Sequence, residues 1–172
     1  MIESPKLAEL KKELNFLQAP ELKELCLRLA KHKTENKELL HFLLFYADKK
    51  EDYVEDVKAL IVNEFNQLHP SIYSATKQIR KLLRLVNKHI KFIATKHLEA
   101  EIALAFCNQF IEHPIIKINQ KATIGILISQ LKRLIRVIPK LEDDLQFDYQ
   151  SQFDSLIELL KRKRHFSERD LQ

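Results

Sequence analysis

A chain of 172 residues with a single glycine, Gly125, has few folds open to it. Phosphate-cradling loops, dinucleotide fingerprints and nucleophile elbows all need backbone positions that only glycine occupies cheaply, so none of them can be built here. Apolar residues are largely Leu and Ile with ten Phe, and they recur at helical rather than strand spacing. The expected fold class is all-α.

Helix limits are legible because proline and small polar residues are scarce and sit where stops belong. Ser4-Pro5 predicts a helix to about Gln18. Ala19-Pro20 opens a second with Leu22, Leu25, Cys26 and Leu29 on one face, and Thr34 is expected to cap a third. That third helix, through "ELLHFLLFYA", is apolar on most sides and is expected to be central. A fourth starts near Asp52, with acids at the end its dipole favours, and presents Val54, Val57, Leu60, Ile61 and Phe65. Ser71 caps a long fifth helix to about Ile93, and Thr95 opens a sixth to about Glu112. The seventh covers roughly 117–138 with Gly125 inside it, Pro139 ends or kinks it, and the eighth runs from about Tyr149 to Lys163 with Phe153, Leu156, Ile157 and Leu160 inward. Connections this short force successive antiparallel hairpins. About eight antiparallel helices therefore form an irregular bundle or a short α-solenoid-like array, expected as one domain over residues 1–172 with 168–172 as a frayed tail; no repeat signature recurs along the chain.

Charge is distributed unevenly. Residues 1–70 hold 11 Lys/Arg and 13 Asp/Glu, residues 71–140 hold 13 and 3, and residues 141–172 hold 5 and 8, giving −2, +10 and −3. No acid occurs in the 34 residues between Glu64 and Glu99. Within that span lies "KQIRKLLRLVNKHIKF" (77–92). On a helical wheel Ile72, Ile79, Leu82, Leu83, Val86, Ile90 and Ile93 form an apolar stripe, and Lys77, Arg80, Lys81, Arg84, Lys88 and Lys91 gather opposite it. Each cation has a like-charged neighbour three or four positions away, which costs a few tenths of a kcal/mol per pair.

Three readings follow. The stripe is the solvated face of a helix, or it is neutralised internally by the acids at 48–56 or 141–149, or it docks a polyanion such as nucleic acid or an acidic protein. Tyr73 on the basic face and Phe92 at its edge would offer stacking surfaces to a base. Lys132, Arg133 and Arg136, with Lys140 beyond them, lie opposite the seventh helix's apolar stripe, so helices five and seven would pool their charge. Binding to phosphates would fall steeply with salt and carry little sequence information. The basic run "KRKRH" (161–165) fits cations in a last helical turn. An alternative function is a protein–protein scaffold using apolar ridges such as Leu85 and Phe92.

Catalytic and metal motifs are sparse. Cys26 and Cys107 lack a CxxC or a companion His at metal spacing, so two buried thiols are expected and no disulfide, metal or cofactor. Glu38 and His41 make one Glu-x-x-His, half of what a carboxylate-bridged di-iron bundle uses, and no second copy exists. His32, His69 and His113 sit at helix ends, where a cation suits the dipole. The start "MIESPKLAEL" has an acid where a signal peptide wants lysines, and the longest uncharged runs, such as Ala122 to Leu131, span about half of what a bilayer needs; a cytoplasmic protein is expected.

Arg84 and His89, in "RLVNKH", resemble the Arg-x4-His motif of the HEPN family of all-α ribonucleases, in which those residues act at the scissile phosphate. Leu85 stands where that family prefers a polar residue, and five residues of regular helix turn the two side chains about 140° apart. The stretches "LAKHKTENKELLHFLLF" (29–45) and "LEDDLQFDYQ" (141–150) resemble an uncharacterised family of all-helical bacterial proteins. That resemblance implies a bacterial cytoplasmic protein and a helical fold, and brings no activity and no site residues. The function expected is a non-enzymatic binding module.

Overall fold

A computed structural model describes residues 5–116 and 120–164. The chain is all-α, with eight helices and no strand among the described residues. It divides into two compact units, Met1–Asp48 and Lys49–Gln172. The boundary falls in "ADKKED", a polar stretch without a large apolar side chain. The expected tail at 168–172 lies outside the described residues.

The first unit contains α1 (Leu7–Leu14), α2 (Ala19–His32) and α3 (Thr34–Phe45). α1 is shorter than the apolar pattern suggests: it starts after Lys6 and ends in turns over 15–17, and the Gln18 amide then donates to the Glu21 carboxylate at 2.7 Å to cap α2. Only extended Lys33 separates α2 from α3, so Thr34 is the first helical residue of α3 and not its cap. Asn36 turns back to donate to the Leu29 carbonyl at 2.9 Å, and Cys26, Leu29 and Ala30 face Leu39, Leu40 and Leu43 across an antiparallel hairpin. The expectation that α3 is central fails. Among the described residues of this unit only Phe42 is buried. Continuous apolarity predicts burial only where neighbours exist to supply it, and three short helices do not.

The second unit holds α4 (Lys50–Asn66), α5 (Ile72–Ile93), α6 (Lys96–Glu112), α7 (Lys121–Val137), a 3-10 turn at Ile138–Lys140 and α8 (Asp143–Arg164). Its centre is α6, which packs against α4, α5, α7, α8 and the 3-10 turn and buries Leu98, Ile102, Leu104, Phe106, Cys107, Phe110 and Ile111. Phe65 of α4 meets Phe106 and Phe110 edge-on at 5.5 and 6.4 Å, an arrangement that ring quadrupoles favour. The inward residues expected of α8 are buried, as are those of α4 except half-buried Leu60. α5 keeps its expected limits. Ala94 ends it in the left-handed region, φ 51°, with its N–H donating to the Ile90 carbonyl.

α8 begins six residues earlier than the apolar pattern indicates. Asp143 and Asp144 sit in its first turn, where carboxylates favour the dipole, and helix forms there without an apolar face. Asp143, Asp144 and Asp148 of the acids at 141–149 thus belong to α8, and Tyr149 turns inward to donate to Glu101 at 3.5 Å. The Nδ1 atoms of His69 and His113 accept N–H groups from Ser71 and Ile115, at 2.9 and 3.3 Å.

Candidate polyanion-docking face

Along α5 the buried residues Ala75, Ile79, Leu82, Val86, Ile90 and Ile93 occupy one side. Lys77, Arg80, Lys81, Arg84 and Lys91 are exposed and Lys88 is half-buried, all within an arc of about 100° on the far side. From Lys77 to Lys91 the cations span roughly 21 Å of helix axis. Among the described residues no ion pair reaches Lys77, Arg80, Lys81, Arg84 or Lys91. Tyr73 is 69% exposed on the same arc, with the Lys77 ammonium 4.2 Å from its ring centroid. Phe92 is not a stacking surface: it is 9% exposed and packs edge-on against His89 at 6.0 Å. Leu85 is half-buried, so the apolar ridge expected on α5 is also absent.

Each flank of the arc meets a different neighbour. On one, Glu64 of α4 joins Lys81, Arg84, Leu85 and Lys88 around a groove of about 380 Å³. Glu64 is an acid beside the cations that the sequence alone does not place there. On the other flank Asn87 accepts from Arg133 Nη1 of α7 at 2.6 Å. The Arg133 guanidinium also donates to Gln130 at 3.2 Å and pairs with Glu99 of α6 at 3.2 Å. Its side chain is 18% exposed, and burial pulls its pKa below the ordinary arginine value, an effect opposed by Glu99 and reinforced by Arg136. Arg133 is therefore a strut joining α5, α6 and α7 and not a free cation of the face.

Lys132 and Arg136 are exposed. On the wheel they lie progressively farther round α7 from Arg133, as Arg80, Lys91 and Arg84 lie round α5 from Asn87. Both basic edges thus border one seam. At its end Asn87, Lys91, Ala94, Thr95, Lys96, Glu99 and Arg133 line a cleft of about 520 Å³. The Thr95 hydroxyl there donates to the Ile93 carbonyl and accepts from Lys50 at 3.2 Å. Exposed Lys140 follows in the 3-10 turn.

Arg84 and His89 do not converge. α5 is uninterrupted between them, and the His89 ring turns to α4, where Nδ1 shares a 2.6 Å hydrogen bond with the Tyr53 hydroxyl. Glu38 is half-buried, while the ring of exposed His41 packs tilted against Phe45 and edge-on against Tyr46. Among the described residues no group of three or more His, Cys, Asp or Glu is placed to hold a metal ion, and no helix is long and apolar enough to cross a membrane. Cys107 is buried as expected, but Cys26 is exposed. Of the run at 161–165, exposed Arg162 has its Nε donating to the Glu158 carbonyl and Lys161 pairs with Glu158; His165 lies outside the described residues.

Comparison with protein-family models, with curated proteins and with solved structures yields no match.

Proposed function

We propose that the protein is a non-enzymatic helical binding module that docks a polyanion, nucleic acid foremost, on the basic arc of α5, continued across the seam by Arg136 and Lys132. The observation that carries this reading is the grouping of five exposed cations on one arc of a helix that contains no acid. A face kept only for solubility gains by mixing signs at i,i+4, and this one forgoes that gain. Half-buried Glu64 offsets part of one edge, leaving Lys77, Arg80 and Lys91 outside its groove. Exposed Tyr73 adds a ring on which a base can stack.

Nothing on the arc distinguishes one base from another, so binding is expected to be tolerant of sequence and dominated by phosphate contacts. Fluorescence anisotropy with mixed-sequence single- and double-stranded oligonucleotides at low salt is the direct test. Binding that Arg80→Glu with Arg84→Glu abolishes supports the reading. Absence of binding already at low salt overturns it for nucleic acid, and capture of a polyglutamate peptide under the same conditions would turn it toward an acidic protein partner.

A further inference from the structure

We propose that the α2–α3 hairpin is a self-association surface that pairs with the same hairpin of a second copy of this chain through an antiparallel contact between the two α2 helices. The described residues of the first unit expose eleven large apolar side chains, from Leu7 to Phe45, against four in the rest of the described chain, and among them only Phe42 is buried. Chains of about 40 residues seldom hold a fold without disulfides, metal or association, and this unit has a single exposed cysteine and no metal cluster among its described residues. Leu29, Leu39 and Leu43 line an apolar groove of about 280 Å³ between α2 and α3, and Leu25 and Leu44 are exposed on the same two helices. At on the order of 100 Å² apiece they leave roughly 500 Å² uncovered, near the upper end for a monomer and enough for the apolar centre of an interface of about 800 Å² per side.

The pattern on α2 points to a second copy as the occupant. Its apolar stripe Leu22, Leu25, Cys26 and Leu29, of which Leu25, Cys26 and Leu29 keep exposed surface beside the contact with α3, follows the spacing three, one, three, which reads the same in both chain directions. A two-fold axis between Leu25 and Cys26 therefore sets apolar on apolar throughout, as an isologous contact requires. On one flank of that stripe lie exposed Glu21 and Arg28, seven residues apart and so on the same side of the helix. Antiparallel pairing brings Glu21 beside Arg28 of the partner subunit, twice by symmetry. With 8 Lys/Arg and 7 Asp/Glu over residues 5–48 the unit carries almost no net charge to oppose association. Two such hairpins make a four-helix bundle, the usual remedy for an αα-hairpin with one open face.

Sedimentation equilibrium on the full chain across a wide concentration range tests this. The wild type is expected to dimerise, and Leu29→Glu to be monomeric with an unchanged far-UV circular dichroism spectrum. Arg28→Glu, and Glu21→Arg, which also removes the acceptor of the Gln18 N–H, should each weaken the dimer about tenfold alone by converting two attractions into repulsions. Mixing these two variants should restore the dimer, because opposite charges then face each other in the heterodimer. A wild type that stays monomeric throughout overturns the proposal, as does a dimer indifferent to Leu29→Glu, or one that neither single charge reversal weakens.

Discussion

Arg133→Ala separates a structural arginine from a binding one. The side chain makes three interactions, with Asn87 at 2.6 Å, Gln130 at 3.2 Å and Glu99 at 3.2 Å, and Glu99 itself is only 25% exposed. Hydrogen bonds to a charged group contribute about 1.5–3 kcal/mol each when buried, and partial exposure, alternative water partners and sharing between Gln130 and Asn87 reduce the sum. The truncation also leaves Glu99 without its cation and Asn87 without its donor. A loss of about 2–3 kcal/mol is expected, which lowers Tm by roughly 5–10 °C for a unit of this size. Urea unfolding should show it, and a double-mutant cycle with Glu99→Gln should return a coupling of about 1 kcal/mol, because the two groups share one interaction. Polyanion affinity should change little. A stability loss below about 0.5 kcal/mol together with a large loss of affinity would refute the assignment of Arg133 as a strut.

Three further outcomes are expected. An added Cβ at exposed, helical Gly125 meets no atom within 4 Å, so Gly125→Ala should stabilise by about 0.5–1 kcal/mol in chemical denaturation. Cys26 should react promptly with a thiol reagent, whereas Cys107, fully buried and with its thiol pKa pushed up by burial, should react only as the second unit unfolds. Lys58 is held protonated by Glu55 and Glu101, and burial first and Glu101 second raise the Tyr149 phenol; both folded pKa values lie above the unfolded ones. The folded state then retains protons that the unfolded chain releases, so their stabilisation is complete below pH of about 10 and is lost as pH rises through the folded values. Tyr149→Phe and Lys58→Met should flatten that alkaline decline in thermal melts.

Local signals carried α5 intact from sequence to structure: Ser71 precedes it, Thr95 follows it, and its apolar positions keep one period for six turns. Signals that depend on neighbours did not carry. α3 and α6 are both apolar nearly all round, yet only α6 has four helices to pack on, and no residue within either segment records that difference. The first turns of α8 are hard to read from the sequence because Asp143 and Asp144 give a helix its dipole partners without giving it an apolar face. Within the candidate site, Arg133 differs from Arg136 by lying about 60° closer to the apolar stripe on the wheel, a cue to partial burial that becomes decisive only once Glu99 and Asn87 are known to face it. Phe92 sat at the edge of the basic arc, and the ring of His89, drawn over to Tyr53, packs against it there. Glu64, Asn87 and the Tyr53–His89 pair were beyond sequence reasoning, since each owes its place to a helix partner distant in the chain.

The most direct test of the proposed binding face is the salt dependence of oligonucleotide affinity, measured for the wild type, for Arg80→Ala with Arg84→Ala, and for Arg133→Ala. If the α5 arc neutralises phosphates, the plot of log affinity against log salt should slope at about −3 to −4 for duplex, and the double α5 variant should flatten it by about two while Arg133→Ala leaves it unchanged. A slope that the α5 substitutions do not move, or one that Arg133→Ala flattens instead, would contradict the account.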